Sequence, residues 1–149
     1  MNLRILTLSL ALPFTAMGWE PHSPRDEIRP VFKIQSGVLT IDAAGRKGVT
    51  GHWQNLIPVK GGGHYEFTAR RKAVNVETPR RQIVERLTWL DAKGKKVLRD
   101  APGPSSRPLA GPPKAEPEFP RVRELDKSGW AIVNEVFKVP ESATQAKVE

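Results

Sequence analysis

The feature that most constrains this chain is an apolar–polar alternation on both sides of a glycine triplet. In "GHWQNLIPV" Trp53, Ile57 and Val59 fall on alternate positions, and beyond Gly61, Gly62 and Gly63 the residues Tyr65, Phe67 and Ala69 do the same. Successive side chains of a strand point to opposite faces, so a repeat of two marks a half-buried strand. The stretch predicts two antiparallel strands, at about 52–60 and 64–71, joined by a turn. Glycine supplies the positive φ values that such a turn demands.

The rest of the chain follows the same rule. "WEPHSPRDEIRP" is rich in proline and charge and forms an extended lead-in. "VFKIQSGVLTID" breaks at Ser36–Gly37 into a hairpin or a bent first strand, and "AAGRKGVTG" is loop. Pro79 holds a turn before "RQIVERLTWLDA", where Ile83, Glu85, Leu87 and Trp89 share one face. A helix competes there, but the β-branched and aromatic content and the "DAKGKK" turn favour a strand from Arg81 to Ala92. "KKVLRD" can return as a short strand. From Asp100 to Ser128 seven of the fourteen prolines accumulate, and no strand or helix is expected to run through that segment. Ala131, Val133, Phe137 and Val139 then alternate, and "ATQAKVE" begins another strand that stops in mid-alternation. Six to eight short strands without a convincing helix predict an all-β fold, an antiparallel β-sandwich of the jelly-roll kind, truncated at its C-terminal strands. Trp53, Trp89 and Trp130 lie in phase with apolar neighbours and are expected in the core, with Trp19 exposed.

The N-terminus bears on compartment. "MNLRILTLSLALPFTAMG" has one positive charge, at Arg4, an apolar run from Ile5 to about Phe14, and small residues at Ala16 and Gly18. It is too short for a bilayer span and reads as a signal peptide, residues 1–18, cut before Trp19. No stable membrane span is expected after cleavage. Residues 19–149 form one module with a long proline-rich loop at 100–128, in a secreted or periplasmic protein. Loss of Arg4 lowers the net charge from +8 to +7. For an exported basic chain, acidic polysaccharide, envelope phosphate or a plain solvated surface accounts for the charge better than nucleic acid, and no aromatic residues interleave with the arginines as single-strand binding requires. With no cysteine, disulfides, thiolate chemistry and cysteine-ligated metals are excluded.

Two segments carry a family likeness. "HWQNLIPVKGGGHYEFTARRKA" resembles the W…V…GG.Y.F.A.R hairpin of the galactose-binding-like jelly-roll carbohydrate-binding modules. "GWAIVNEVFKVPESATQAKVE" resembles their GW..V...F.VP..A..A.VE segment, which in that family continues into further strands. More narrowly, "PRDEIRPVF", "PRRQIVERLTWLDAKGKKV" and "AEPEFP" are similar to the sandwich that precedes a carbon–nitrogen hydrolase (nitrilase-like) domain in exported bacterial proteins. The resemblance implies a non-catalytic accessory module that binds carbohydrate or docks on a downstream catalytic domain, or serves purely as a spacer between domains. Nitrilase-type hydrolysis uses Cys, Glu and Lys, and a chain without cysteine cannot house it.

The remaining constellations point the same way. His22, His52 and His64 lack metal-ligand spacing, so no metal or other cofactor is expected, although His52, His64 and Glu66 would meet if their two strands were paired. Ser23, His22 and Asp26 lack a nucleophile elbow, and neither Glu116 with Glu118 nor Asp26 with Glu27 has the cleft a glycosidase pair needs. No catalytic residue is assigned. The binding candidates are Arg70, Arg71, Arg80 and Arg81, two basic clusters expected to meet at one end of the sandwich. Guanidinium forks take carboxylate, sulfate or phosphate in bidentate fashion. The acids of the proline-rich loop are their natural internal partners, so a forked contact of Arg80 or Arg81 with Glu116 or Glu118 is expected, with Phe119 as the apolar anchor.

Overall fold

The computed structural model describes residues 18–101 and 113–149. The signal-peptide reading, apart from Gly18, and the centre of the proline-rich segment therefore lie outside the described residues. What is described is all-β and antiparallel. The elements are β1 (Glu20–His22), a 3-10 turn (Asp26–Ile28), β2 (Val31–Gln35), β3 (Val38–Asp42), β4 (His52–Pro58), β5 (His64–Lys72), a helical turn α1 (Pro79–Gln82), β6 (Leu87–Leu90), β7 (Val122–Leu125), β8 (Trp130–Lys138) and β9 (Gln145–Val148). β1-β4-β9-β6 form one sheet, β5-β8-β7 a second, and β2-β3 a separate hairpin.

Side chains from the two larger sheets pack into one core. β6 and β9 contribute Leu87, Trp89, Ala146 and Val148, joined by Val97, Val139 and Ala143, and Tyr65, Phe67 and Phe137 of the second sheet pack against them. On β5, β8 and β9 these side chains sit at alternate positions, so the repeat of two selects the buried face, whereas β6 is buried on both faces; burial of their apolar surface is the main stabilising contribution. Trp19, expected in solvent, is partly buried against this same cluster.

The glycine triplet does something other than predicted. β4 and β5 are strands, but they are not partners: β4 pairs with β1 and β9, while β5 pairs with β8 along its whole length. The turn carries the chain from one sheet to the other. A Cβ on Gly61 would stand 2.6 Å from the carbonyl carbon of Glu141 and closer still to its oxygen, and Gly62 has φ +74°. Glycine is required because the segment leaving β8 lies directly against the turn. There the Gly62 N–H donates to Val139 O (3.0 Å) and the Val139 N–H donates to Gly63 O (2.8 Å). Of the two alternatives at Ser36–Gly37, a hairpin or a bent first strand, the hairpin forms, with both turn residues at positive φ (48° and 78°).

Three further expectations are corrected. The strand predicted over Arg81–Ala92 shrinks to Leu87–Leu90, because Pro79 occupies the first position of the helical turn α1, where its missing N–H costs nothing. The segment from Asp100 to Ser128 does contain a strand, β7, which begins after the last proline, Pro120, where "RVREL" is free to donate ladder hydrogen bonds. Trp130 is not in the core. It pairs with Lys72 on the opposite face of β8 from Phe137, and the Arg70 guanidinium lies 5.4 Å from its ring centroid. The strand expected in "ATQAKVE" forms as β9 and is paired on both sides, by β4 and by β6. Among the described residues no helix is long and apolar enough to cross a membrane.

Candidate functional site

The structure brings Arg71 and Arg80 together and separates Arg70 and Arg81 from them. The alternation along β5 decides this. Arg71 lies on the face shared with Phe67 and Ala69, toward the other sheet, whereas Arg70 lies on the outer face. Arg70 donates to Asp126 Oδ2 at 2.7 Å and stacks on Trp130. The Asp126 carboxyl is held below the ordinary carboxylate range by the backbone N–H of Trp130 first, and then by Arg70 and the Ser128 N–H. Arg81 sits on α1, exposed.

Arg71 and Arg80 line a cleft of about 320 Å³ with Ile83, Val84, Glu85, Pro120, Arg121 and Val122. Two of its three guanidinium groups are already committed. Arg71 pairs with Glu85 at 3.2 Å and donates to the carbonyl of Ile83. Arg121 grips Glu135 with Nε at 2.9 Å and Nη2 at 2.8 Å, a forked pair. Arg123 adds a contact of 3.2 Å to the same carboxylate. Glu135 projects from the inner face of β8, and the Arg121 hydrogen bonds, followed by the charges of Arg121 and Arg123, hold its carboxyl below the usual range. The same pair raises Arg121. Among the described residues the Arg80 guanidinium has no carboxylate partner. It stands in a cleft whose remaining wall is largely aliphatic, and Val84 (52 %) and Val122 (37 %) in that wall are solvent-exposed.

The predicted fork from Arg80 or Arg81 to Glu116 or Glu118 does not form. Glu118 bridges Leu87 in both directions, N–H to O at 2.9 Å each way, which fixes its backbone beside β6. Its carboxylate accepts from Trp89 Nε1 at 3.4 Å, at the margin of the core. Glu116 is taken by Arg99, which the Leu98–Lys114 bridge brings alongside. Phe119, the expected anchor, is exposed. Sequence reading missed Arg121, Glu85 and Glu135. Glu85 carried a signal, since it shares a face with Ile83 and Leu87 in the predicted alternation, but Glu135 meets Arg121 only because β7 pairs with β8.

A second charged cluster lies on the outer face of the four-stranded sheet. The Glu149 carboxylate accepts from Arg86 Nε (2.7 Å) and Nη2 (2.6 Å) and pairs with Lys147 Nζ (2.8 Å). Burial pushes its carboxyl up, but the hydrogen bonds from Lys147 and Arg86 outweigh this and lower it. His52 Nε2 stands 3.2 Å from Glu149 Oε1 without forming a hydrogen bond, and its ring is 4.9 Å from that of His22. Burial, assisted by His22, Lys147 and Arg86 and opposed by Glu149, lowers His52 below its ordinary value. The grouping of His52 with His64 and Glu66 fails because β4 and β5 belong to different sheets. No group of three metal-ligating side chains occurs among the described residues.

Comparisons with protein-family models, with curated proteins and with solved structures return no match for this chain.

Proposed function

We propose that this chain is a non-catalytic binding module of an exported hydrolase and that the arginine-lined cleft receives the anionic group of an acidic polysaccharide. The observation that carries this reading is Arg80: a guanidinium without a carboxylate partner among the described residues, beside an aliphatic wall. Glu85 and Glu135 neutralise its neighbours, so the cleft offers about one unit of positive charge rather than a dense cationic field. That suits one carboxylate or sulfate on a ligand whose C–H surface packs on Val84, Pro120 and Val122. The volume, about 320 Å³, lies at the lower end of the range of about 300–1,000 Å³ usual for small-ligand sites. The jelly-roll likeness of the sequence and the lack of cysteine support an accessory role beside a carbon–nitrogen hydrolase domain.

Affinity electrophoresis through gels containing polygalacturonate, with neutral xylan as reference, tests the ligand. The wild-type protein should be retarded by the acidic polymer alone, and Arg80→Ala should weaken binding about ten- to a hundredfold, the worth of a hydrogen bond to a charged group. Equal retardation of both proteins, or none, refutes it. A second reading, docking on a neighbouring catalytic domain, is favoured by the exposed Val84 and Val122 lining the cleft, since apolar residues beside arginine make effective protein contacts.

A further inference from the structure

Among the described residues β5 ends its sheet with a free edge of nine residues. In the order β5-β8-β7 only β8 pairs with it, and no backbone hydrogen bond from another described segment reaches its other side. The direction of its backbone groups follows from the ladder. Val139 N–H donates to Gly63 O, and the register continues as His64↔Lys138 and Tyr65↔Phe137. In an antiparallel pair, directly opposed residues alternate between bonded and non-bonded positions. Tyr65, Phe67, Ala69 and Arg71 are therefore bonded to β8, while His64, Glu66, Thr68, Arg70 and Lys72 present N–H and C=O to the open edge. Such an edge is a template for another strand. The opposite edge of the sheet is guarded, because β7 is short and a register shift between Val122 and Glu124 interrupts its ladder.

We propose that β5 pairs with β5 of a second copy of this chain, antiparallel about a two-fold axis at Thr68, to give a continuous six-stranded sheet. The sequence "HYEFTARRK" is complementary to itself in this register. Thr68 meets its own mate, Glu66 meets Arg70, Phe67 meets Ala69 and His64 meets Lys72. All nine residues overlap, and every residue whose backbone groups point outward faces another of the same kind. A dyad at Phe67 or Ala69 shortens the ladder, and one at Glu66 or Arg70 sets like charges against each other. Glu66 and Arg70 keep capacity for the contact: Asn134 Nδ2 occupies Oε1 of Glu66, and Asp126 occupies only Nη2 of Arg70. Arg71 is the one cleft residue on β5, and its side chain lies on the inner face rather than at the open edge, so this inference does not depend on the cleft's ligand.

Sedimentation velocity at increasing protein concentration is the test, together with cysteine cross-linking, which is clean because the chain has no cysteine. The wild-type protein should pass from monomer to dimer. Glu66→Arg alone and Arg70→Glu alone should each stay monomeric, and an equimolar mixture of the two should dimerise, since their pairs are again of opposite charge. Thr68→Cys should form an intermolecular disulfide rapidly under mild oxidation, its mate being about 5 Å away between Cβ atoms. His64→Cys should not, because its mate lies eight residues off, about 27 Å. A wild-type protein that stays monomeric up to sub-millimolar concentration overturns the proposal. So does Thr68→Cys cross-linking no faster than His64→Cys, or a Glu66→Arg protein that still dimerises.

Discussion

Gly61→Ala should be among the most damaging single-methyl substitutions in this protein. The new Cβ would stand 2.6 Å from the Glu141 carbonyl carbon, a contact with backbone that no side-chain rotation relieves. The two segments must separate, and the separation strains the Gly62 N–H to Val139 O and Val139 N–H to Gly63 O hydrogen bonds. Val139 and Ala143 next to them are almost completely buried, so the shift propagates into the core. Overpacking of this kind costs about 1–3 kcal/mol, and a weakened hydrogen bond adds about 1 kcal/mol. A total of about 2–4 kcal/mol is a large part of the stability of a domain this size, about 5–15 kcal/mol. With a urea m-value of about 1–3 kcal/mol/M, the midpoint followed by tryptophan fluorescence should fall by roughly 0.7–4 M. Gly45→Ala is the control: its φ is +74°, unlike that of Gly61, which is not in the left-handed region, and nothing lies within 4 Å of the added Cβ. It should cost only the left-handed backbone penalty, about 1–2 kcal/mol. If Gly61→Ala is no worse than Gly45→Ala, the close approach to Glu141 is not what the triplet serves.

Two further outcomes are expected. Val133→Ala, at a fully buried position on the inner face of β8, should cost about 1.5–3 kcal/mol, whereas Val136→Ala on the outer face should stay within about 0.5 kcal/mol; comparable urea midpoints for the two would mean the faces of β8 are misassigned. Because the folded state lowers His52, the unfolded chain binds the proton more readily, so stability is fully present well above pH 6.5, the ordinary value, and declines as pH falls below it. A His52→Gln protein should lose less stability than wild type between pH 7.5 and pH 5.5 in parallel urea titrations, and equal losses would remove His52 as the cause.

The strands themselves were legible because burial on one face leaves a repeat of two in the residue order, as along β5 and β8. The hairpin at Ser36–Gly37 was legible because two residues at positive φ fix the turn locally. Position among strands was not. Nothing local distinguishes a glycine turn that pairs its flanking strands from one that passes them to different sheets, and at Gly61 the difference is the backbone of Glu141, eighty residues away in the chain. The candidate site divides the same way. That Arg70 and Arg71 point to opposite faces follows from adjacency in a strand, but alternation does not say which face is covered. Arg71 faces inward, toward the cleft, because β5 lies against β8 with Phe67 and Phe137 on the core side. Arg80 reaches the same cleft because Pro79 starts a helical turn in place of the predicted strand. The choice of Arg99 for Glu116, Trp89 for Glu118 and Glu135 for Arg121 was made by strand register, since an ion pair between distant residues forms only where main-chain hydrogen bonds have already brought them together.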